Sequence, residues 1–265
     1  MRQHEKEKRM RRKVERLSAD IVERLRSIES IEAITLHESA ESDINDPYFF
    51  LSLDVYYRGA LPSAGQRASF FEDAGGFETS SYSQKDRFFL EDLPIRIEYK
   101  HTSRVEHLLE NVQDNLWAFR QTGTYMFYRL QAGRVLYARG DWLEKIQKRL
   151  EKLPDSFWLA LRESFFSAAE HYLTDIKSAV VRKDDLFYLL SLSGFIKSFC
   201  SMLFTVNQRF EPSGRRLFQQ TLELPILPEN FRGRFYSILR EDPEFPPERK
   251  QEIAELMTRS VLNLI

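Results

Sequence analysis

The chain has 265 residues, 39 Lys+Arg against 40 Asp+Glu, and a single cysteine, Cys200. That length allows a substantial buried core in one or two domains. The near-zero net charge excludes a bulk electrostatic attraction to nucleic acid or membrane, and the lone cysteine excludes an intramolecular disulfide framework or a thiolate metal cluster. The first thirteen residues, MRQHEKEKRMRRK, lack the apolar core of a secretory signal. The most apolar stretch, around Leu186 to Val206, is interrupted by Lys197 and several serines. A soluble, cytoplasmic protein is expected, with no membrane partner.

In chain order, residues 1–16 carry eight Lys/Arg against Glu5, Glu7 and Glu15, a helix-prone basic arm of net charge +5. It reads either as a solvated helix with i,i+4 pairs or as a clamp for phosphates and acidic partners. Val14, Leu17, Ile21, Leu25 and Ile28 keep the 3–4 step of an amphipathic helix. Ile31–Leu36 reads as a strand, and His37 to Pro47 as a loop. Tyr48 to Tyr57 reads as a second strand. Residues 59–92 are expected to be mainly loop, with Phe70-Phe71 and Phe88-Phe89-Leu90 docking onto the body; Leu93–Tyr99 alternates as a third strand. From Ser103 the periodicity is helical almost throughout. Candidate helices run over about 104–119, 123–131, 141–152, 155–172, 174–181, 184–208, 212–221, 228–240 and 247–264. The expected class is α+β: a basic arm (1–16), a small mixed-sheet module (17–103) and a helical C-terminal domain (104–265).

Residues 27–57 hold seven carboxylates (Glu29, Glu32, Glu38, Glu41, Asp43, Asp46 and Asp54) and no Lys or Arg. Such a segment faces solvent, a basic ligand or a divalent cation such as Mg2+, which joins protein carboxylates to substrate phosphates. A helix, a short strand, Leu36-His-Glu-Ser39, a loop and a strand carrying Ser52-Leu-Asp54-Val together resemble the nucleotidyltransferase superfamily with its DNA-polymerase-β-like fold. In that family a Gly-Ser grips the triphosphate, an Asp-x-Asp pair on the second strand binds metal, and a later strand supplies a third acid. Alternate residues of a strand share one face, so such a pair can hold one ion. The passages Arg129–Tyr137, Gly140–Ile146 and Leu203–Pro212 are similar to segments downstream of the catalytic module in bacterial nucleotidyltransferase-like and aminoglycoside-type enzymes.

The resemblance implies transfer of a nucleoside monophosphate from a nucleoside triphosphate such as ATP to a hydroxyl acceptor, with Mg2+ as cofactor. Asp54 and Glu98 would be the catalytic and metal-binding acids, Ser39 and Ser52 the nucleotide-binding hydroxyls, and Asp43 and Asp46 further metal donors from the loop. Two positions depart from the pattern: the family's Gly is Glu38 here, and its first Asp is Ser52. A carboxylate beside a phosphate repels it, a Cβ obstructs its approach, and serine is a weaker Mg2+ ligand. Both departures imply weakened, relocated or lost catalysis. The alternative is a non-catalytic nucleotide-binding or protein-interaction module of the same fold. A nucleic-acid-processing partner using the basic arm is disfavoured by the missing basic excess elsewhere.

Against these roles stand plainer ones. Asp54 reads otherwise as an edge-strand charge paired with Arg96 or Arg58, Glu98 as part of an alternating surface strand, and His37 as a structural loop histidine. Glu163, Glu170 and Asp175 read as solvated helix faces, and Arg209 with Arg215-Arg216 as a phosphate-facing patch or a helix C-terminal complement.

Overall fold

The computed structural model describes residues 2–37, 46–80, 84–110 and 112–264. The chain divides into two compact units: residues 1–111 with 129–152, and residues 112–128 with 153–265.

In the first unit, the basic arm and the amphipathic segment form one helix, α1 (Arg2–Leu25). Its stripe of Val14, Leu17, Ile21 and Leu25 is buried against the sheet. The strands are β1 (Ile31–Leu36), β2 (Leu51–Tyr57), β3 (Gly75–Ser80), β4 (Lys85–Leu90), β5 (Leu93–His101) and β6 (Arg134–Ala138), in the spatial order β3-β4-β5-β2-β1-β6. β2 runs antiparallel to β1 and parallel to β5, which makes the sheet mixed. Short helices α2 (Ala64–Ser69), α3 (Thr102–Glu110) and α6 (Trp142–Leu150) complete the unit, together with the end of α5 (Tyr125–Ala132).

The α+β class and the helical C-terminal region are as expected, but three strands differ from the sequence reading. Residues expected to be loop form the β3–β4 hairpin and α2. The alternation in β4 is masked because Asp86, fully buried, points inward to meet Arg67 Nε at 2.8 Å and its Nη2 at 2.9 Å. The β4–β5 turn has Glu91 and Asp92 both at positive φ, 47° and 64°, a conformation normally marked by Asn-Gly. β6 lies in a stretch expected to sit downstream of the module; it pairs antiparallel with β1 and so belongs to the sheet.

In the second unit, the helix expected over 104–119 is divided, because the Asp- and Asn-bearing turn at 112–115 competes with helix before α4 (Leu116–Thr122). The two helices expected over 155–181 are instead one, α7 (Asp155–Arg182). Thr174 does not break it, since its hydroxyl donates back to the Glu170 carbonyl at 3.1 Å. α7 pairs with α8 (Asp185–Val206), and α9 (Gly214–Leu222), α10 (Phe231–Leu239) and α11 (Pro247–Ser260) come after it. α8 is long and apolar enough to cross a membrane, yet Phe195, Phe199, Met202 and Leu203 are buried within the helical unit, as in a core helix.

A glycine-dependent joint holds this unit together. Gly123 closes α4 at φ 69°, ψ −171°, and a Cβ there would lie 3.0 Å from Glu211 Oε2. The buried Glu211 accepts from Ser201 Oγ at 2.9 Å and from Lys197, while its own N–H donates to Thr124 Oγ1 at 2.8 Å.

A buried carboxylate ringed by cations as the candidate site

Period-2 geometry decides which residues meet. Leu51, Leu53, Val55 and Tyr57 of β2 join the core beneath α1, so Ser52, Asp54 and Tyr56 face the other side of the sheet. The parallel register sets Asp54 opposite Glu98 and Ser52 opposite Arg96. β2 is a central strand, not an edge, and Asp54 is fully buried.

Asp54 and Glu98 therefore converge, as the sequence spacing implied, but cations stand between them. Arg129 of α5 approaches Asp54 with two nitrogens, Nε at 2.9 Å from Oδ2 and Nη2 on Oδ1. Lys100 Nζ lies 2.6 Å from Asp54 Oδ2 and 3.8 Å from Glu98 Oε2, and Arg129 Nη1 lies 3.7 Å from the same Glu98 oxygen. His37 Nε2 is 3.1 Å from Asp54 Oδ2, and the Tyr56 hydroxyl donates to that oxygen at 3.2 Å. Glu98 is also bridged by Lys85 at 3.0 Å, its register partner on β4.

The charges reflect this crowding. Burial alone would raise the Asp54 pKa, but Lys100, His37 and Arg129 outweigh it and hold the carboxyl well below its ordinary 3.8. Burial lowers the His37 imidazole below 6.5 against the opposing pull of Asp54. Burial likewise lowers Lys100 from 10.5, against the opposing pull of Asp54. The Tyr56 phenol is pushed well above 10.0, first by burial and then by Asp54, and stays a donor.

Gly133 is the residue that lets Arg129 reach the site. The turn after α5 presses on β1 so closely that a Cβ on Gly133 would sit 2.6 Å from the Arg129 carbonyl and 3.2 Å from Thr35 Cβ. Trp142 of α6 stacks at a tilt on Tyr56, with ring centroids 5.3 Å apart, and covers the same face.

This donor set does not fit a Mg2+ site. Both Asp54 oxygens are occupied by charged donors, and a divalent cation would meet Lys100 and Arg129 at contact range, with roughly 1 to 4 kcal/mol of repulsion per unit-charge pair at ~4 Å. Among the described residues no group of three or more His, Cys, Asp or Glu side chains gathers. The expected metal roles of Asp54 and Glu98 are therefore not supported by their surroundings. Asp46 is committed to a turn, its Oδ1 accepting from the Tyr48 N–H at 2.8 Å and its carbonyl from the Phe49 N–H at 2.9 Å. Ser39 and Asp43 lie outside the described residues. Ser52 is buried on the Asp54 face, and its carbonyl accepts from the His37 N–H at 3.1 Å.

The partners expected for Asp54 from sequence lie elsewhere. Arg96 stacks over the Phe50 ring at 4.0 Å, and Arg58 pairs with Glu32 at 3.5 Å and Glu106 at 3.0 Å. The actual partners, Lys100 and Arg129, escaped sequence reasoning. A signal for Lys100 existed, because it stands two residues after Glu98 and so shares its face; Arg129 needed the tertiary contact at Gly133. Arg215-Arg216 sit in the first turn of α9 instead of at a helix C-terminus, while Arg209 lies just beyond α8, its N–H bonded to the Phe204 carbonyl at 2.9 Å.

Residues 110–215 match a family model described as a domain of unknown function (DUF4037). No curated protein matches the chain. Among solved structures, the chain is similar to the crystal structure of a nucleotidyltransferase-like protein from Exiguobacterium sibiricum 255-15, with 12% identity, 92% of this chain and 74% of that chain covered, and a TM-score of 0.49. The chemistry of this site rests on its own residues.

Proposed function

We propose that this chain is a non-catalytic binding module with the architecture of a nucleotidyltransferase, in which the acid at the metal position has been recruited as an internal counterion. One observation carries the reading: the buried Asp54 carboxylate is taken up by Arg129, Lys100 and His37. Catalysis of nucleotidyl transfer with Mg2+ would require Asp54 to give up its contacts with two formal cations, Arg129 and Lys100, both of which also lie near Glu98. Removing one partner of a buried ion pair costs about 3–5 kcal/mol, because it leaves the other charge uncompensated. Ser52 in place of the first acid points the same way, since a neutral hydroxyl neither competes with the internal cations nor attracts a divalent one.

The test is a thermal-shift titration with each of the four nucleoside triphosphates, with and without Mg2+. The proposal predicts no Mg2+-dependent stabilisation. A Mg2+-dependent shift that saturates and reaches about 2.7 kcal/mol at a hundredfold excess over the dissociation constant would overturn it and restore the enzymatic reading. A shift of the same size without Mg2+ would identify the bound class as nucleotides while leaving the module non-catalytic.

A further inference from the structure

The overall charge balance conceals a local feature on α1. Its apolar stripe is used up on the sheet, and on the outward face Lys8, Arg9, Arg12, Lys13 and Arg16 recur at i, i+1, i+4, i+5 and i+8. That spacing gathers five cations on one side of the helix within about 12 Å along its axis. Lys13 donates to the Glu91 backbone carbonyl and Arg16 grips the Glu91 carboxylate, so the C-terminal end of the stripe is anchored on the β4–β5 turn. Lys8, Arg9 and Arg12 are exposed, and no ion pair of theirs is seen among the described residues; Glu5 and Glu15 are the acids that border them on this face, and Glu15 is taken up by Arg134 at 2.9 Å.

We infer that this stripe is a docking surface for the phosphate backbone of nucleic acid. Charge complementarity argues for the occupant, and the composition of the face excludes two rivals. A membrane-surface helix needs an apolar face free to insert, and here Val14, Leu17, Ile21 and Leu25 are buried in the protein core. A protein partner normally supplies and demands an apolar or aromatic interface centre, and no such residue interrupts the five cations on this face. Recognition by positive charge alone remains, with Arg9 and Arg12 suited to bidentate phosphate contacts. Such binding is independent of base sequence and falls steeply with salt.

The experiment is fluorescence anisotropy of the full chain with a labelled, mixed-sequence DNA duplex of about 20 base pairs at several salt concentrations. Neutralising phosphates with Lys8, Arg9 and Arg12 predicts a log–log salt slope near −3, from about −0.9 per contact. The triple variant Lys8→Gln, Arg9→Gln, Arg12→Gln should lose at least tenfold in affinity and flatten the slope, with an unchanged melting temperature because these side chains support no described contact. Absence of saturable binding at low salt overturns the inference, as does binding by the triple variant equal to that of the parent. Equal affinity for poly-glutamate of matching charge also overturns it, by removing the preference for phosphate.

Discussion

Replacing Asp54 by alanine separates a metal-holding acid from an internal counterion. In a site built for Mg2+, two facing carboxylates repel when the metal is absent, so deleting one leaves stability unchanged or raises it. Here the deletion leaves Arg129 and Lys100, whose side chains are only 11% and 15% exposed, facing each other beside Glu98 without the Asp54 carboxylate between them. It also strips the Tyr56 hydroxyl and the His37 imidazole of a shared acceptor. Breaking a buried ionic network from one side costs about 3–5 kcal/mol, most of it the uncompensated charge left behind. Against a typical total of about 5–15 kcal/mol this is a large fraction. At roughly 2–4 °C per kcal/mol for a chain of this size, Asp54→Ala should lower the melting temperature by about 6–20 °C. Urea unfolding monitored by tryptophan fluorescence gives the free energy directly. The double variant Asp54→Ala, Arg129→Ala should cost clearly less than the sum of the two single variants. An Asp54→Ala protein as stable as the parent would refute the counterion role.

The same contacts set three further outcomes. Gly133→Ala should destabilise by about 1–3 kcal/mol, because backbone and Thr35 must give way; partial loss of the Asp54–Arg129 coupling in a double-mutant cycle on that background checks the mechanism. His37 has its pKa lowered below 6.5 by burial, so as pH falls through 6.5 the unfolded chain takes up a proton that the folded chain refuses. Stability should therefore be fully present above that pH and decline below it, and urea midpoints measured from roughly pH 8 to pH 5 should show a slope that His37→Gln flattens. In the helical unit, Gly123→Ala forces a side chain into a glycine conformation and against Glu211, with an expected loss of about 1–3 kcal/mol by denaturant titration; on α2 of the first unit, Gly65→Ala, where a Cβ meets nothing within 4 Å, should be tolerated.

How far the sequence reached depended on whether local pattern or distant contact set each element. β1 was legible residue for residue because Ile31–Leu36 is β-branched and bounded, and β2 and β5 because their alternation marks one apolar face. The helix stripe from Val14 to Leu25 was legible for the same reason. β3 was not, since an exposed edge strand of Gly, Glu, Thr and Ser has no apolar face to read. β4 was obscured by one inward aspartate whose partner, Arg67, lies nineteen residues earlier. β6 was invisible because its identity comes from pairing with β1, about a hundred residues away in sequence. At the site, period-2 spacing correctly brought Asp54 and Glu98 to one face. It could not say which groups fill the space between them. That depends on Arg129, delivered by a helix from 75 residues downstream through the Gly133 contact.

Whether Asp54 is free for a metal can be read from Mn2+ binding to the full chain, detected as loss of the free-ion electron paramagnetic resonance signal, in the parent and in Asp54→Asn. With Asp54 engaged by Arg129, Lys100 and His37, neither protein should take up a stoichiometric Mn2+. One tightly bound Mn2+ per parent chain, lost on Asp54→Asn, would overturn the counterion role by showing that the carboxylate acts as a metal ligand.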